Sequence, residues 1–417
     1  MVPLFYGVGA VLAGTGVPRL EERLVPELLS PISAESAIAI FSSVAAGMMS
    51  LTAIVFSLVF VMAQFSAITY SPRLALALSR DPVLFHGIGI FTATFIYALV
   101  ALAWVNRANT GKVPFLTTAM VLLLLMASVM VLARLVQRLS LLRITNVLSF
   151  VGHMGRETTD KMFPPIAADA RLQEPAADLE LPPIRYTLRH AGVPRVIESL
   201  DVATLAGEAC RAGALIEMVE GVGETLISGA ALLHVRGGAS SLSERTLRKA
   251  VRLGPERTFE QDPRYALRVL VDIAIKGLSP AINDPTTAVQ ALDYIEDLIS
   301  HIGKRQLVDG HARDPSGILR LIYPAPTWED FVHLAFDEIR FYGSSSVQVM
   351  RRMRALLRDL LPQLPVERQA PVQAQLARVE QTVVRAFPAI EDLQDAQGED
   401  RHGLGRSRPK EKQAVGA

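Results

Sequence analysis

Apolar residues crowd the first 137 positions in four long runs, and beyond Gln137 the pattern breaks into shorter amphipathic segments. The first run, Met1 to Pro18, is rich in glycine (Gly7, Gly9, Gly14, Gly16) and has no basic residues before it. A signal peptide would open on basic residues. The run therefore predicts a first transmembrane helix, marginal in length and clipped at its start. The second run, about 37–67, holds no charge and exceeds the roughly 20 residues that cross a bilayer core, which predicts tilt or projection. The third covers about 84–104 and the fourth about 113–136, both uncharged until Arg134. Soluble core helices rarely run this long without an ionisable group, so the expected first domain is a four-helix membrane domain over 1–137.

The flanks predict its orientation. Arg134, Arg138, Arg143, Arg156 and Lys161 lie in or follow the end of the fourth run, which the positive-inside rule puts in the cytoplasm. Arg73 and Arg80 then also fall inside, and Arg107 and Lys112 outside, the latter counting mildly against the assignment. The expected location is the inner (plasma) membrane, multi-pass, with the large C-terminal domain cytoplasmic. Tyr70, Arg73 and Arg80 occupy a short amphipathic connector and read as membrane-interface anchors.

Ser36, Ser43, Ser50, Ser57 and Gln64 recur every seven residues on the second run. Such a repeat drifts only about 20° per heptad, so the five side chains form one winding polar stripe. Two readings stay open: a packing seam, since hydroxyls and small residues let membrane helices approach, or the lining of a wetted pore in a homo-oligomer. The only ionisable group inside the spans before Arg134 is His86, near the start of the third. Charge-coupled carriers normally show such groups mid-membrane, so a passive path is the expected mode if anything crosses.

After a connecting helix and a proline-bearing linker (138–183), the periodicity predicts a small β-rich subdomain over 184–237, as a barrel or sandwich. Its strands fall near 184–188, 214–220, 225–229 and 231–235, with a helix near 200–211. A helical subdomain over 241–387 follows, with helices after Asp262 and Asp284 and near 328–341, 345–361 and 366–387. Arg268, Asp272 and Lys276 predict an ion-pair ladder on one helix face. Residues 388–417 read as a disordered tail. The expected fold is thus an α-helical multi-span membrane domain followed by a mixed α+β, mainly helical, cytoplasmic domain.

Composition narrows the chemistry. The chain has 417 residues, is 50% hydrophobic and 20% charged, and carries a formal net charge of +1. That balance argues against a nucleic-acid binder. The single cysteine, Cys210, excludes an intrachain disulfide and reads as a small buried side chain. The histidines show no metal-binding spacing, so neither a metal site nor a cofactor is expected. The expected partners are the lipid bilayer and further copies of the chain.

The run from Gly254 to Asp262, then Leu270-Val271-Asp272-Ile273-Ala274, then Leu278-Ser279-Pro280-Ala281-Ile282-Asn283-Asp284-Pro285-Thr286-Thr287-Ala288, resembles an uncharacterised bacterial family of predicted membrane proteins, number 2254 among the domains of unknown function. Gln64-Phe65-Ser66 with Ser71-Pro72-Arg73, and the stretch Ala335 to Arg340 with Tyr342-Gly343, resemble it as well. The resemblance reaches about Phe387. It implies several spans and one shared soluble domain, and no activity.

The densest polar grouping in the chain is Arg257, Thr258, Gln261, Asp262, Asn283, Asp284 and Asp337. As an enzyme site it would need a nucleophile with a base, or carboxylates at a set separation, and Ser279 has no identifiable histidine partner. Asp262-Pro263 and Asp284-Pro285 are helix-start signals, so the simpler reading is a scaffold, with a ligand site as the alternative. Two function classes follow: a homo-oligomeric channel or pore-like assembly with a cytoplasmic regulatory domain, or a membrane-anchored sensor or interaction scaffold without transport.

Overall fold

The computed structural model describes residues 2–24, 30–69, 82–108, 113–139, 144–166, 180–238, 242–401 and 403–405, with side chains undescribed at 58, 59, 61–69, 82–84, 108, 138 and 139. The connector anchors Tyr70, Arg73 and Arg80 lie outside these residues, as do most of the linker and residues 406–417. The chain forms two compact units, Met1–Arg143 and Ile144–Ala417.

The first unit holds α1 (Val2–Leu24), α2 (Ala34–Thr69), α3 (Pro82–Ala108) and α4 (Phe115–Leu139). Among the described residues three helices are long and apolar enough to cross a membrane: Ala34–Ser57, Phe85–Arg107 and Phe115–Gln137. The expected first span is not among these three. The first run does form a helix, but it continues through Pro18 and takes in Arg19, Glu21, Glu22 and Arg23, which lower its hydropathy. Small residues set its packing. A Cβ on Gly14 would meet the Val100 side chain at 2.9 Å, and one on Gly89 would meet the Tyr6 ring at 2.5 Å. Glycine at these positions lets α1 lie close against α3.

Several polar groups inside this unit are paired between helices. The Thr94 and Ser128 hydroxyls, both fully buried, lie 2.9 Å apart across α3 and α4. Tyr6 Oη and His86 Nδ1 are 3.1 Å apart. The Glu21 carboxylate, 3% exposed, accepts from the Leu116 N–H at 2.8 Å and the Thr117 N–H at 3.3 Å. It thereby caps the start of α4 and favours its positive end. The Arg19 guanidinium lies over Trp104, 5.5 Å from the ring centre, and the Ser30 N–H donates to Val113 O. The end of α1, the start of α2, the end of α3 and the start of α4 thus meet at one end, as an alternating up-and-down bundle requires.

The second unit begins with α5 (Ile144–Met162). The expected connector is instead a core helix. A Cβ on Gly155 would lie 2.7 Å from Leu298 and 2.8 Å from Ala266, so α5 is pressed against two other helices. These are α8 (Pro263–Gly277) and α9 (Pro285–Gly303), preceded in the chain by α6 (Val202–Ala212) and α7 (Glu244–Ala250). Then come α10 (Trp328–Tyr342), α11 (Val347–Leu360), α12 (Gln369–Ala386) and α13 (Ile390–Ala396). Arg352, nearly buried on α11, pairs with Asp293 at 2.8 Å and also with Glu296, both on α9.

The strands are β1 (Ile184–Arg189), β2 (Arg195–Leu200), β3 (Ala214–Met218), β4 (Thr225–Leu226), β5 (Ala231–Gly237), β6 (Val251–Gly254), β7 (His311–Arg313) and β8 (Leu319–Ile322). They form a five-stranded sheet, β1-β5-β3-β8-β7, and a three-stranded sheet, β4-β2-β6, so the β-rich part is two sheets. It also outgrows the expected 184–237: β6 lies beyond that range, and β7 and β8 return from inside the segment read as helical. β8 lies parallel to β3, pairing Ile216 with Leu321.

Of the expected disordered tail, 388–417, residues 388–401 are ordered. Helix α13 is held by Arg351, which donates to Asp395 O, and Arg354, which donates to Gln397 O. Arg358 pairs with Glu399 and Arg401 with Asp359.

Replacing Glu21 by alanine leaves the first-turn N–H groups of α4 buried without their acceptor. The expected cost is about 1–3 kcal/mol, read as a lower Tm of the full chain in detergent. An unchanged Tm would contradict the capping role.

Candidate functional site

The seven polar residues grouped by the sequence occupy three places. Arg257, Thr258, Gln261 and Asp262 lead into the first turn of α8. Asn283 and Asp284 follow its last turn, a helix length of about 22 Å away. Asp337 sits on α10.

The first group fastens a loop. Gly221-Val222-Gly223-Glu224 follows β3 and lies against the start of α8. Arg257 Nε donates to Gly223 O at 2.7 Å, and an Arg264 Nη donates to Val222 O at 3.2 Å. Gln261 accepts from the Leu200 N–H at 3.0 Å and donates to Leu200 O at 3.4 Å. Gly223 has φ +90°, and a Cβ there would lie 2.4 Å from Asp262 Oδ2, so only glycine fits the contact. Asp262 is 4% exposed. It stands at the helix start without capping it, and its Oδ2 has no hydrogen-bond partner. Burial pushes its carboxyl above the usual range, against the charges of Arg264 and Arg257. The buried hydroxyl of Thr258 also lacks a partner. Arg264, Gly223 and the nearby Tyr323 escaped the sequence reading. Only the Gly-x-Gly turn signalled the loop, and nothing in the chain order pairs it with residues 40 positions later.

The second group is a turn. Asn283 has φ 48°, in the left-handed region that asparagine tolerates better than most side chains. The Asp284 carboxylate accepts from the Thr287 N–H at 3.2 Å and its hydroxyl at 2.6 Å. Pro285 occupies the first helical position of α9. The Ser279 hydroxyl donates to Lys276 O at 2.7 Å. These contacts close a helix–turn–helix and give Ser279 no base.

The third group lies between α10 and α12. Asp337 accepts from Gln375 at 2.8 Å and pairs with His333 at 2.9 Å and Arg378 at 3.3 Å. Burial works against its charge, but these partners hold its carboxyl below the usual range. Of the expected ladder, Arg268 pairs with Asp272, and its other contact crosses to Glu338 of α10. Cys210 is exposed, contrary to expectation, because it falls on the outer face of α6. Among the described residues no group of three or more His, Cys, Asp or Glu could hold a metal.

In the first unit, Ser36, Ser43, Ser50 and Ser57 are all exposed, and so are Ala46, Gly47 and Ala53 beside them. The side chain of Gln64 lies outside the described residues. The face of α2 that packs within the unit is a different one, marked by Ala37, Phe41, Val44, Ala45, Met48 and Val55. Among the described residues, the stripe therefore does not pack against the other helices of the first unit.

Residues 1–359 match the family described as "Predicted membrane protein (DUF2254)". Two similar curated proteins are uncharacterized protein Rv1290c of Mycobacterium tuberculosis and uncharacterized protein Mb1321c of Mycobacterium bovis. Each is 30% identical over 401 residues, which are 93% of this chain and 75% of the relative. No solved structure matches.

Asp284→Ala removes a helix cap and is expected to cost about 1 kcal/mol, while Asp284→Asn retains most of the stability. Urea unfolding of the full chain measures both. Equal losses would contradict capping as the role of Asp284.

Proposed function

We propose, on the premise that the chain belongs to the DUF2254 family of predicted membrane proteins, that it assembles with its own copies into a channel or pore-like structure regulated by the second unit. The observation that supports this is the exposure of Ser36, Ser43, Ser50 and Ser57 on one outward face of α2. On a lone chain that face would meet lipid, where hydroxyl groups find no external partner. Copies arranged with these faces inward would turn the stripe toward a wetted path or toward each other. The described part of the face carries no ionisable side chain after Glu35, which suits passive passage better than proton-coupled transport. In this reading α1 accompanies the three longer helices as a fourth crossing. The basic residues that follow α4 then favour an inner-membrane protein with its second unit in the cytoplasm.

Ion flux through the full chain in liposomes tests the reading, with wild type beside Ser50→Leu. The expected result is flux in the wild type that falls at least about tenfold in the variant, since leucine replaces a hydroxyl with a branched apolar side chain. Flux that the variant leaves unchanged would remove α2 from the path. A wild type silent under varied voltage, tension and pH would favour the tethered sensor or scaffold. Oligomer contact is read separately, with Ser50→Cys in a Cys210→Ser background. Oxidation should give cross-linked pairs of chains, and monomers alone would count against the shared face.

A further inference from the structure

Asp262 combines three features no other carboxylate of the second unit shows together among the described residues: near-complete burial, an oxygen without a hydrogen-bond partner, and two neighbouring guanidiniums whose hydrogen bonds go to loop carbonyls. It borders a cavity of about 60 Å³ lined also by Val222, Gln261, Arg264, Tyr323 and Pro324. At roughly 10–15 Å³ per water that space holds a few waters, less than the hydration that carries a carboxylate in bulk water. The charged and titratable groups facing it are Arg257 from the segment before α8, Arg264 from α8 itself, and Tyr323 from the segment after β8. Tyr323 is itself held neutral, by burial first and then by the charge of Asp309. Arg257 and Arg264 give hydrogen bonds to the carbonyls of Gly223 and Val222. Arg264 Nε nevertheless lies 3.7 Å from Asp262 Oδ1, close enough to exchange one acceptor for the other.

We infer that Asp262 is a proton-operated latch: when its carboxyl releases its proton to solvent, Arg257 and Arg264 turn from the loop carbonyls to the carboxylate, and the loop 221–224 comes free of α8. In the protonated state the two arginines bind the loop and the neutral carboxyl fits beside Gly223. In the ionised state a buried charge needs a partner, and the only cations at hand are those that hold the loop. The raised carboxyl range agrees with this sense. Its contribution to stability is complete below the ordinary carboxylate range and is lost as pH rises through the folded-state value. Release would loosen the pairing of Gly223 and Glu224 with Ile197, where the Gly223 N–H donates to Ile197 O at 2.9 Å and the Ile197 N–H to Glu224 O at 3.0 Å. The latch thus couples proton concentration to the seat between the three-stranded sheet and the helices. It concerns the second unit alone and stands whether or not the pore reading holds.

Hydrogen exchange of the full chain, followed by mass spectrometry on peptides covering residues 219–230, tests it. Rates at about pH 5 and about pH 8 are corrected for intrinsic exchange. Wild-type protection is expected to fall about tenfold or more over that range, one decade corresponding to one unit of differential protonation. Asp262→Asn should keep its protection at both values, and Gly223→Ala should lack it at both. Arg264→Gln takes away a charge that favours the carboxylate and should move the wild-type midpoint to higher pH, a shift that a merely structural role would not cause. Protection that is flat with pH in the wild type, or an Arg264→Gln midpoint that is unmoved or lower, would overturn the latch. So would a pH profile shared by the wild type and Asp262→Asn.

Discussion

Hydrocarbon offers no hydrogen bonds, so a polar group placed in it must find its partner within protein or at a wetted surface. In the first unit several contacts between helices meet this constraint, although the Tyr97 hydroxyl, Trp104 Nε1 and the Thr117 hydroxyl are buried without a hydrogen-bond partner. Glu21 supplies the acceptor that the first N–H groups of α4 lack, and Thr94 pairs with Ser128 between α3 and α4. Threonine hydroxyls elsewhere turn back on their own helices, as Thr52 does to Met48 O and Thr92 to Ile88 O. Against that background the serine row on α2 stands out. It is the polar face that the helix does not spend on its neighbours, and the assembly reading follows from asking what else it could face.

The second unit obeys a related rule in water-excluded protein. Its buried charges come with partners: Arg352 sits between Asp293 and Glu296, and Arg368 donates to the carbonyls of Ile302 and Gly303 while it lies over the Trp328 ring. Asp262 meets the rule only in part, since Arg264 Nε lies 3.7 Å from Oδ1 while Oδ2 has no hydrogen-bond partner, and it does so at the seat of a loop rather than in the middle of a helix. A carboxyl whose range burial raises can change its partners when it ionises, whereas Asp284, paired with Thr287 as a cap, has no such second state in view. The two Asp-Pro signals look alike in the chain and do different physical work in the fold.

Much of the architecture was legible in the sequence because it rests on local patterns. Long charge-free runs marked three membrane-capable helices, and periodic apolar positions with Asp-Pro starts marked α8 and α9. The helices from α10 to α12 were marked by the same periodicity. What escaped depends on distant partners. β7 and β8 are three and four residues long, too short to show alternation, and exist as strands because β3 offers an edge. The loop at Gly223 meets Asp262 only after folding. Glu399 and Arg401 were read as part of a disordered tail because their partners, Arg358 and Asp359, lie about 40 positions earlier. Cys210 was misjudged since composition says nothing of which helix face a residue occupies. Of the candidate site, the residues were named but their grouping was not: proximity in the chain joined what one helix length separates.

The central claim is that the serine face of α2 borders a wetted path in an assembly of copies. The most direct measurement is the reaction of a membrane-impermeant thiol reagent with single cysteines placed along α2 in a Cys210→Ser background. The account predicts labelling at Ser43→Cys, Ser50→Cys and Ser57→Cys, and protection at Met49→Cys and Phe56→Cys, which are exposed about a quarter to a third of a turn away from the serine face. Labelling that follows depth alone, with the serine positions no more reactive than their neighbours, would contradict it.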